Sequence, residues 1–460
     1  PIDTTQVLNF LVYFAENATG AGRSQLGTSL PLGTNDFHAA PELAHLMFTH
    51  VCVYTQSSLA EQTTPVAFKI NDTAATVTSL AFDDLDLDVL DLGGVAIWIA
   101  PQDTSQVTQY YVYLASAISG AGRSLIGTPL PLGVNELLIP MDVTLGSFAH
   151  VVVFTKSSLV EQTTPANFLF SDTDSSVSNV NFTDQDLDGG QIGGTIKWIG
   201  PFDTLHVQGY VVYLATDVTG ISKSQIGTMV AENVADELSF PANTALPPYS
   251  HIVIFTRSTL FEQTTPSAFK VVDISASVRT LDFVEKDLDE AEIGGIVTWD
   301  VPVIASQVTH YVAYLSEGAL GEGRSQIASE VPFGTNFIDL APDTPIANFS
   351  FVTVYSKSAI SEESLPQYFP ISDAVSTVSS VAFPDKDLDR DDLGGDVTWS
   401  PPAEVSQVTH YVAYLSLNGT GVNRSQIGVE VPLGTITIHI AEDTDADEYI
   451  VIYTRSSLFE

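Results

Sequence analysis

The chain is short of cysteine, of basic side chains and of long apolar runs. It has one cysteine in 460 residues and 16 lysines and arginines against 56 acids, a net charge of −40. The single Cys52 excludes an intramolecular disulfide, a four-cysteine zinc site and a thiol redox pair. Phosphate binding needs a basic surface, so nucleic acid is excluded as a partner, and anionic membranes fail on the same ground. No apolar stretch approaches the roughly 18 residues of a membrane-spanning helix, so no transmembrane segment is expected. The residues present are 44% hydrophobic and 10% aromatic, the composition of a folding chain with a cation as its natural counterpart. Pro1 opens without a methionine or an apolar leader, which reads as an internal or processed stretch.

Self-similarity organises the rest. The tryptophans Trp98, Trp198, Trp299 and Trp399 are spaced by 100, 101 and 100 residues, each closing a Gly-Gly-x-Val/Ile/Ala-x-Trp block. Nine residues after each stands a Val (107, 207, 308, 408) opening a Tyr-rich run such as Tyr411 to Leu415. A base followed by Ser recurs at Arg23, Arg123, Lys223, Arg324 and Arg424, expected to pair with carboxylates of its own copy. Glu-Gln-Thr-Thr-Pro recurs at 61–65, 161–165 and 262–266, blurred to Glu362-Glu363-Ser364-Leu365-Pro366 in the fourth copy. Asp72, Asp172, Asp273 and Asp373 close the copies.

A period this long lets each copy bury its own core. Short β-branched and aromatic runs alternate with Gly, Pro, Asn, Asp and Ser, the pattern of an all-β sandwich. The spacing predicts seven strands per copy: 376–383, 396–400, 408–415, 425–431, 435–441, 449–455 and a last one at 268–272 in an earlier copy. The predicted modules are 73–172, 173–273 and 274–373. They are flanked by a partial sandwich at 1–72 lacking its first two strands and another at 374–460 lacking its last. Cys52 takes the place of Val152, Val253, Thr353 and Val451 and reads as a small core residue.

A Trp near the end of the second strand, a Pro-containing loop (Pro401-Pro402) and Tyr411-x-x-Tyr414 in the third strand resemble the fibronectin type III sandwich. The Gly-Gly-x-Val-x-Trp, Arg-Ser-x-Ile-Gly and Glu-Gln-Thr-Thr-Pro blocks resemble tandem repeats in large surface proteins of single-celled algae. That likeness implies an extracellular or cell-surface repeat protein, and it brings no enzymatic activity.

Pro1 aligns with Pro101 and Glu460 with Glu61, so the chain starts and stops inside a copy. Two readings stay open. Missing strands come from a neighbouring subunit, joining copies of the chain head to tail, or the frame is a window on a longer array. Either gives a linear polymer of beads.

The acidic loop between the first and second strands is the best candidate for chemistry. Its members are Asp84, Asp86, Asp88 and Asp91; Asp184, Asp186 and Asp188, with Gln191; Glu285, Asp287, Asp289 and Glu292; and Asp385, Asp387, Asp389 and Asp392. On an extended chain alternate carboxylates face one way, and the intervening Leu87, Leu187, Leu288 and Leu388 point into the core. Grouped carboxylates repel unless they surround a hard cation, so calcium is the expected cofactor. The first ligand positions resemble an EF-hand loop, but position six and the missing Glu at twelve depart from it. At the module ends the loop is placed to meet Asp172, Asp273 and Asp373, or Asp3, Asp103 and Asp203, so that calcium would stiffen the joints.

Asn-x-Ser/Thr sequons at Asn17, Asn71, Asn181, Asn348, Asn418 and Asn423 are candidates for covalent glycans. The histidines show no metal-ligand pairing, and no nucleophile elbow or phosphate loop occurs. The expected protein is a non-enzymatic structural glycoprotein of a filament. The alternative is a calcium-dependent adhesive ectodomain that grips a glycan or another cell-surface partner.

Overall fold

The computed structural model describes residues 1–460, all of it strand, turn and loop with no helix. It is a tandem of β-sandwiches. The chain divides into two compact units: Pro1–Ser176 with Pro201–Gly209 and Thr256–Thr265, and Val177–Gly200 with Tyr210–Phe255 and Pro266–Glu460.

In the first unit, one sandwich surrounds Trp98. Its three-stranded sheet pairs Thr78–Phe82 and Glu136–Thr144 on either side of Asp91–Ile99. The facing sheet runs from Leu130–Pro131 through Gln109–Ala115 and His150–Lys156 to Ala166–Leu169. Ser124–Leu125 also pairs with Gln109–Ala115, so a three-stranded sheet faces a five-stranded one, with all pairs antiparallel. Alternate residues of each strand turn inward. Trp98 meets Tyr110 edge-on, with ring centroids 5.6 Å apart, among Val112, Ile139, Val151 and Val153.

Residues 1–72 of this unit form one sheet, Asn9–Ala15, His50–Gln56 and Val66–Lys69 with two short pieces at its edge. The expectation for this copy omitted two strands, and a third is also missing. No strand forms in the segment that aligns with Glu136–Thr144, because that strand pairs only with the Trp-bearing strand. Its apolar face, with Phe10, Val12, Phe14, Val51 and Val53, lines a groove of about 430 Å³. Cys52 is buried beside Leu11, Ala15 and Tyr54.

In the second unit, Arg279–Glu285, Glu292–Asp300 and Phe337–Pro345 face His310–Ser316, Phe351–Lys357 and Gln367–Pro370 around Trp299. Ser379–Ala382, Asp392–Ser400 and Thr437–Asp445 face Ser425–Pro432, His410–Ser416 and Tyr449–Arg455 around Trp399. The Trp198-bearing strand Gln191–Ile199 lies between Ser178–Phe182 and Glu237–Ala245. The second strand is longer than the predicted 396–400 because it runs back through the Gly-Gly pair. The fifth starts two residues later than predicted and ends at Asp445.

Two local devices recur. The register between second and fifth strands slips at a bulge, where Asp142, Asn243, Asp343 and Asp443 have φ near +60°. Such bulges re-aim a strand end. The recurrent base lies over two aromatic rings, as Arg123 does over Tyr113 and Phe154 at 4.5 and 4.2 Å. Arg23, Arg123, Arg324 and Arg424 pair with Glu61, Glu161, Glu362 and Glu460, and the Tyr13, Tyr113, Tyr314 and Tyr414 hydroxyls donate to the same glutamates. Lys223 holds the same place over Tyr213 and Phe255.

Candidate functional site: the acidic joint loops

The acidic loop is not an extended ribbon. Asp84 Oδ1 accepts the N–H of Asp86 (3.2 Å) and of Gly93 (3.0 Å), and Asp86 Oδ1 accepts the N–H of Asp88 (3.1 Å). Each carboxylate caps the residue two positions on, the turn chemistry natural to aspartate. Asp86 Oδ2 takes the N–H of Asp142 at the bulge, 2.7 Å away. The same chain of bonds runs through Asp184 and Asp186, Glu285 and Asp287, and Asp385 and Asp387.

The remaining acceptors reach past the sandwich. Asp84 Oδ2 accepts the N–H of Thr173 (3.0 Å), the Leu87 carbonyl accepts the N–H of Ser175 (3.1 Å), and Asp172 in turn accepts the N–H of Leu90 (2.9 Å). Asp88 accepts the N–H groups of Thr264 (2.6 Å) and Thr265 (3.0 Å), and Gln263 Nε2 donates to the Leu87 carbonyl (2.7 Å). The next joint repeats the scheme. Asp184 takes the N–H of Ile274 (3.0 Å), Leu187 O that of Ala276 (3.0 Å), Asp273 that of Gly190 (2.8 Å) and Asp188 that of Ser364 (2.9 Å). At the third, Asp373 takes the Ala291 N–H and Leu288 O the Ser376 N–H.

The leucine was expected to enter the core of its own copy. Leu187 is 0% exposed and sits instead in the cluster around Trp299 and Tyr311, and Leu288 sits in the cluster around Trp399 and Tyr411. Each is a knob seated in the following sandwich. Leu87 is buried as well, whereas Leu388 is 97% exposed. The Gly-Gly pair lets the Phe261 ring and the neighbouring backbone approach closely. A Cβ on Gly93 would stand 3.0 Å from the Phe261 ring and 3.1 Å from the Met141 backbone, and one on Gly94 would stand 2.3 Å from Asp83 O.

Burial pushes the carboxyls of Asp84 and Asp184 up to about 6 and that of Glu285 up to about 7, against the pull of the N–H bonds they accept. Burial, then Asp142, Asp88 and Asp172, raises Asp91. Burial, then Asp343, Asp287 and Asp289, raises Glu292, and burial, then Asp387 and Asp443, raises Asp392. Asp387 is held low by the N–H groups of Asp443 and Asp389.

Two groups bring carboxylate oxygens within 4.8 Å of one another: Asp287, Asp289, Glu292 and Asp343, and Asp387, Asp389 and Asp443. Asp343 and Asp443 come from the bulge and were missed in the sequence reading. In the Trp198 copy Gln191 and Asn243 stand where acids would be needed. Asp84 and Asp184 spend their oxygens on the linker, and Asp88 and Asp188 spend theirs on the Thr264-Thr265 and Ser364 loops. Asp385 caps Asp387 and Gly394. The side chains of Asp3, Asp103 and Asp203 cap their own turns at Thr5, Ser105 and Leu205. The Glu-Gln-Thr-Thr-Pro block was visible as a recurrence, but nothing in the sequence named the carboxylate it meets.

Among the sequons, Asn17 accepts the N–H and hydroxyl of Thr19 (3.0 and 2.7 Å), and Asn418 does the same with Thr420 (3.1 and 2.8 Å). Asp217 caps Thr219 in the same slot, so a turn cap accounts for the recurrence. Asn71, Asn348 and Asn423 are exposed on loops, with Asn348 donating to Glu317, and Asn181 is exposed in the strand Ser178–Phe182.

No protein-family model and no curated protein matches the chain. Among solved structures it is similar to the crystal structure of the FN1-FN3 domains of chicken CNTN1. That likeness has 13% identity over 64% of this chain and 97% of the other, with a TM-score of 0.21. It is also similar to the central fibronectin-III array of RIM-binding protein, with 14% identity over 66% and 99% and a TM-score of 0.16. The strand order itself carries the description of the sandwiches. No helix is long and apolar enough to cross a membrane.

Proposed function

We propose that the chain is a structural segment of an extracellular, glycan-bearing repeat protein, whose work is to hold successive fibronectin type III-like sandwiches at latched joints. One observation carries this reading. At the joint after the Trp198 sandwich the loop offers Leu187 to the next sandwich's core while Asp184 grips the linker and Asp188 the next sandwich's loop, and the neighbouring joints repeat parts of the scheme with Asp84, Asp88 and Leu288. A flexible string of beads needs none of these bonds. A non-catalytic role agrees with the distribution of the raised carboxyls, which recur at joints and do not converge in one cleft.

Assembly with further copies into a linear filament extends the same logic. Electron microscopy of native material tests it: filaments with an axial repeat related to the sandwich length support the reading. Separate particles that bind a glycan or receptor would favour the adhesive alternative.

Calcium is a second reading at one position. Asp287, Asp289, Glu292 and Asp343 offer four carboxylates within ligand reach of a common point. Hard-cation sites are built from such oxygens. Isothermal titration of the chain with calcium, repeated on Asp343→Ala, tests this: binding lost in the variant supports it, and no heat from either protein removes it.

A further inference from the structure

Two joints share one design but are closed by different side chains. After the Trp98 sandwich the joint is closed by Gln263, whose amide nitrogen donates to the Leu87 carbonyl (2.7 Å) and to Ser176 Oγ (3.0 Å). Its amide oxygen accepts the N–H of Thr256 (3.0 Å). At the joint after the Trp198 sandwich the equivalent position is Glu363. Glu363 is 3% exposed, its Oε1 accepts the hydroxyl of Ser277, and its Oε2 has no hydrogen-bond partner. A carboxylate is acceptor-only, so it cannot supply the donor that Gln263 supplies, whereas a protonated carboxyl can.

The charged group that faces it is Asp188, from the acidic loop of the preceding sandwich. Asp188 is held one residue away along the chain, by the N–H and hydroxyl of Ser364. The other neighbours of Glu363 are the Ser277 hydroxyl and the Ser356 backbone. The Ser277 and Ser356 bonds favour the ionised form; against them, a carboxylate here is buried, leaves Oε2 unpaired and stands beside a like charge. Burial, the missing partner and the like charge each disfavour the ionised form.

We propose that Glu363 makes this one joint pH-responsive: the neutral carboxyl closes it as Gln263 closes its neighbour, and the carboxylate loosens it. The proposal rests on the reading of the loops as joint latches. Burial, with Asp188 adding to it, pushes Glu363 from the ordinary 4.5 up to about 7. The sign follows from linkage. A carboxyl whose pKa is higher in the closed joint than in the open one favours closure fully below the open-state value. That preference is lost as pH rises through the interval and is constant above the closed-state value. The window is therefore pH 4.5 to about 7.

The test is amide hydrogen exchange on the full chain between pH 4.5 and 8, corrected for intrinsic rates, read at Ser364 and at Thr264 and Thr265. Protection at Ser364 is expected to fall by on the order of a hundredfold across the window and to level off above it, with Thr264 and Thr265 changing far less. Glu363→Gln, which installs the residue found at 263, should hold Ser364 protected throughout. Equal pH dependence at both joints, or an unchanged profile in the variant, overturns the proposal. If all three amides lack protection at every pH, it is the latch reading itself that fails.

Discussion

Leu187 lies in the loop that follows the strand Ser178–Phe182, yet its side chain is buried in the core that surrounds Trp299, one sandwich further along the chain. The contact makes two neighbouring folds share one hydrophobic cluster. Opening that joint exposes an apolar side chain and uncovers a socket, so joint rigidity and sandwich stability are coupled.

Leu187→Ala should destabilise the chain by about 2–5 kcal/mol, the usual cost of emptying a buried leucine site. Leu388→Ala, at a position 97% exposed, should change stability by less than about 0.5 kcal/mol. Urea unfolding of the two variants checks the pair, and equal effects would remove the knob from the account.

Asp184→Ala should strip acceptors from the N–H groups of Asp186, Gly193 and Ile274 together. Buried donors left unpaired cost about 1–3 kcal/mol each where water cannot reach them. Faster hydrogen exchange at Ile274 is the expected signature, whereas Asp184→Asn, which keeps one acceptor oxygen, should retain part of the protection.

Mild acid should stabilise the fold. Asp84 and Asp184 at about 6 and Glu285 at about 7 lie above their ordinary values of 3.8 and 4.5. Groups raised in this way contribute stability below the unfolded value and lose it as pH rises through the folded one. The thermal midpoint should therefore climb as pH is lowered from about 7 to about 5. A midpoint that falls over this interval would contradict the burial argument.

Removal of divalent cations should act at one place. If calcium occupies the Asp287, Asp289, Glu292 and Asp343 cluster, a chelator should lower the melting temperature of the native chain and leave Asp343→Ala unaffected. The Trp198 copy, with Gln191 and Asn243 in the corresponding positions, should show no such response.

Much of the fold was legible because it is written in period. The four tryptophans, the Gly-Gly pairs and the alternation of apolar residues are local signals, and each copy repeats them, so the sandwich class followed from the sequence alone. The recurrent arginines were equally readable as partners of their own copy's carboxylates, since acids outnumber bases 56 to 16.

What the sequence could not supply is which neighbour each loop residue meets. The carboxylates look like a ligand set in one dimension. In three dimensions Asp84 and Asp184 hold a linker, Asp88 and Asp188 hold a loop some 176 residues away, and Asp287 and Asp289 come together with Glu292 and the bulge residue Asp343, as Asp387 and Asp389 do with Asp443. Composition marks a leucine as buried without saying in which core. Only the packing of one sandwich against the next decides that, because burial depends on where surfaces meet and not on the residues adjacent in the chain.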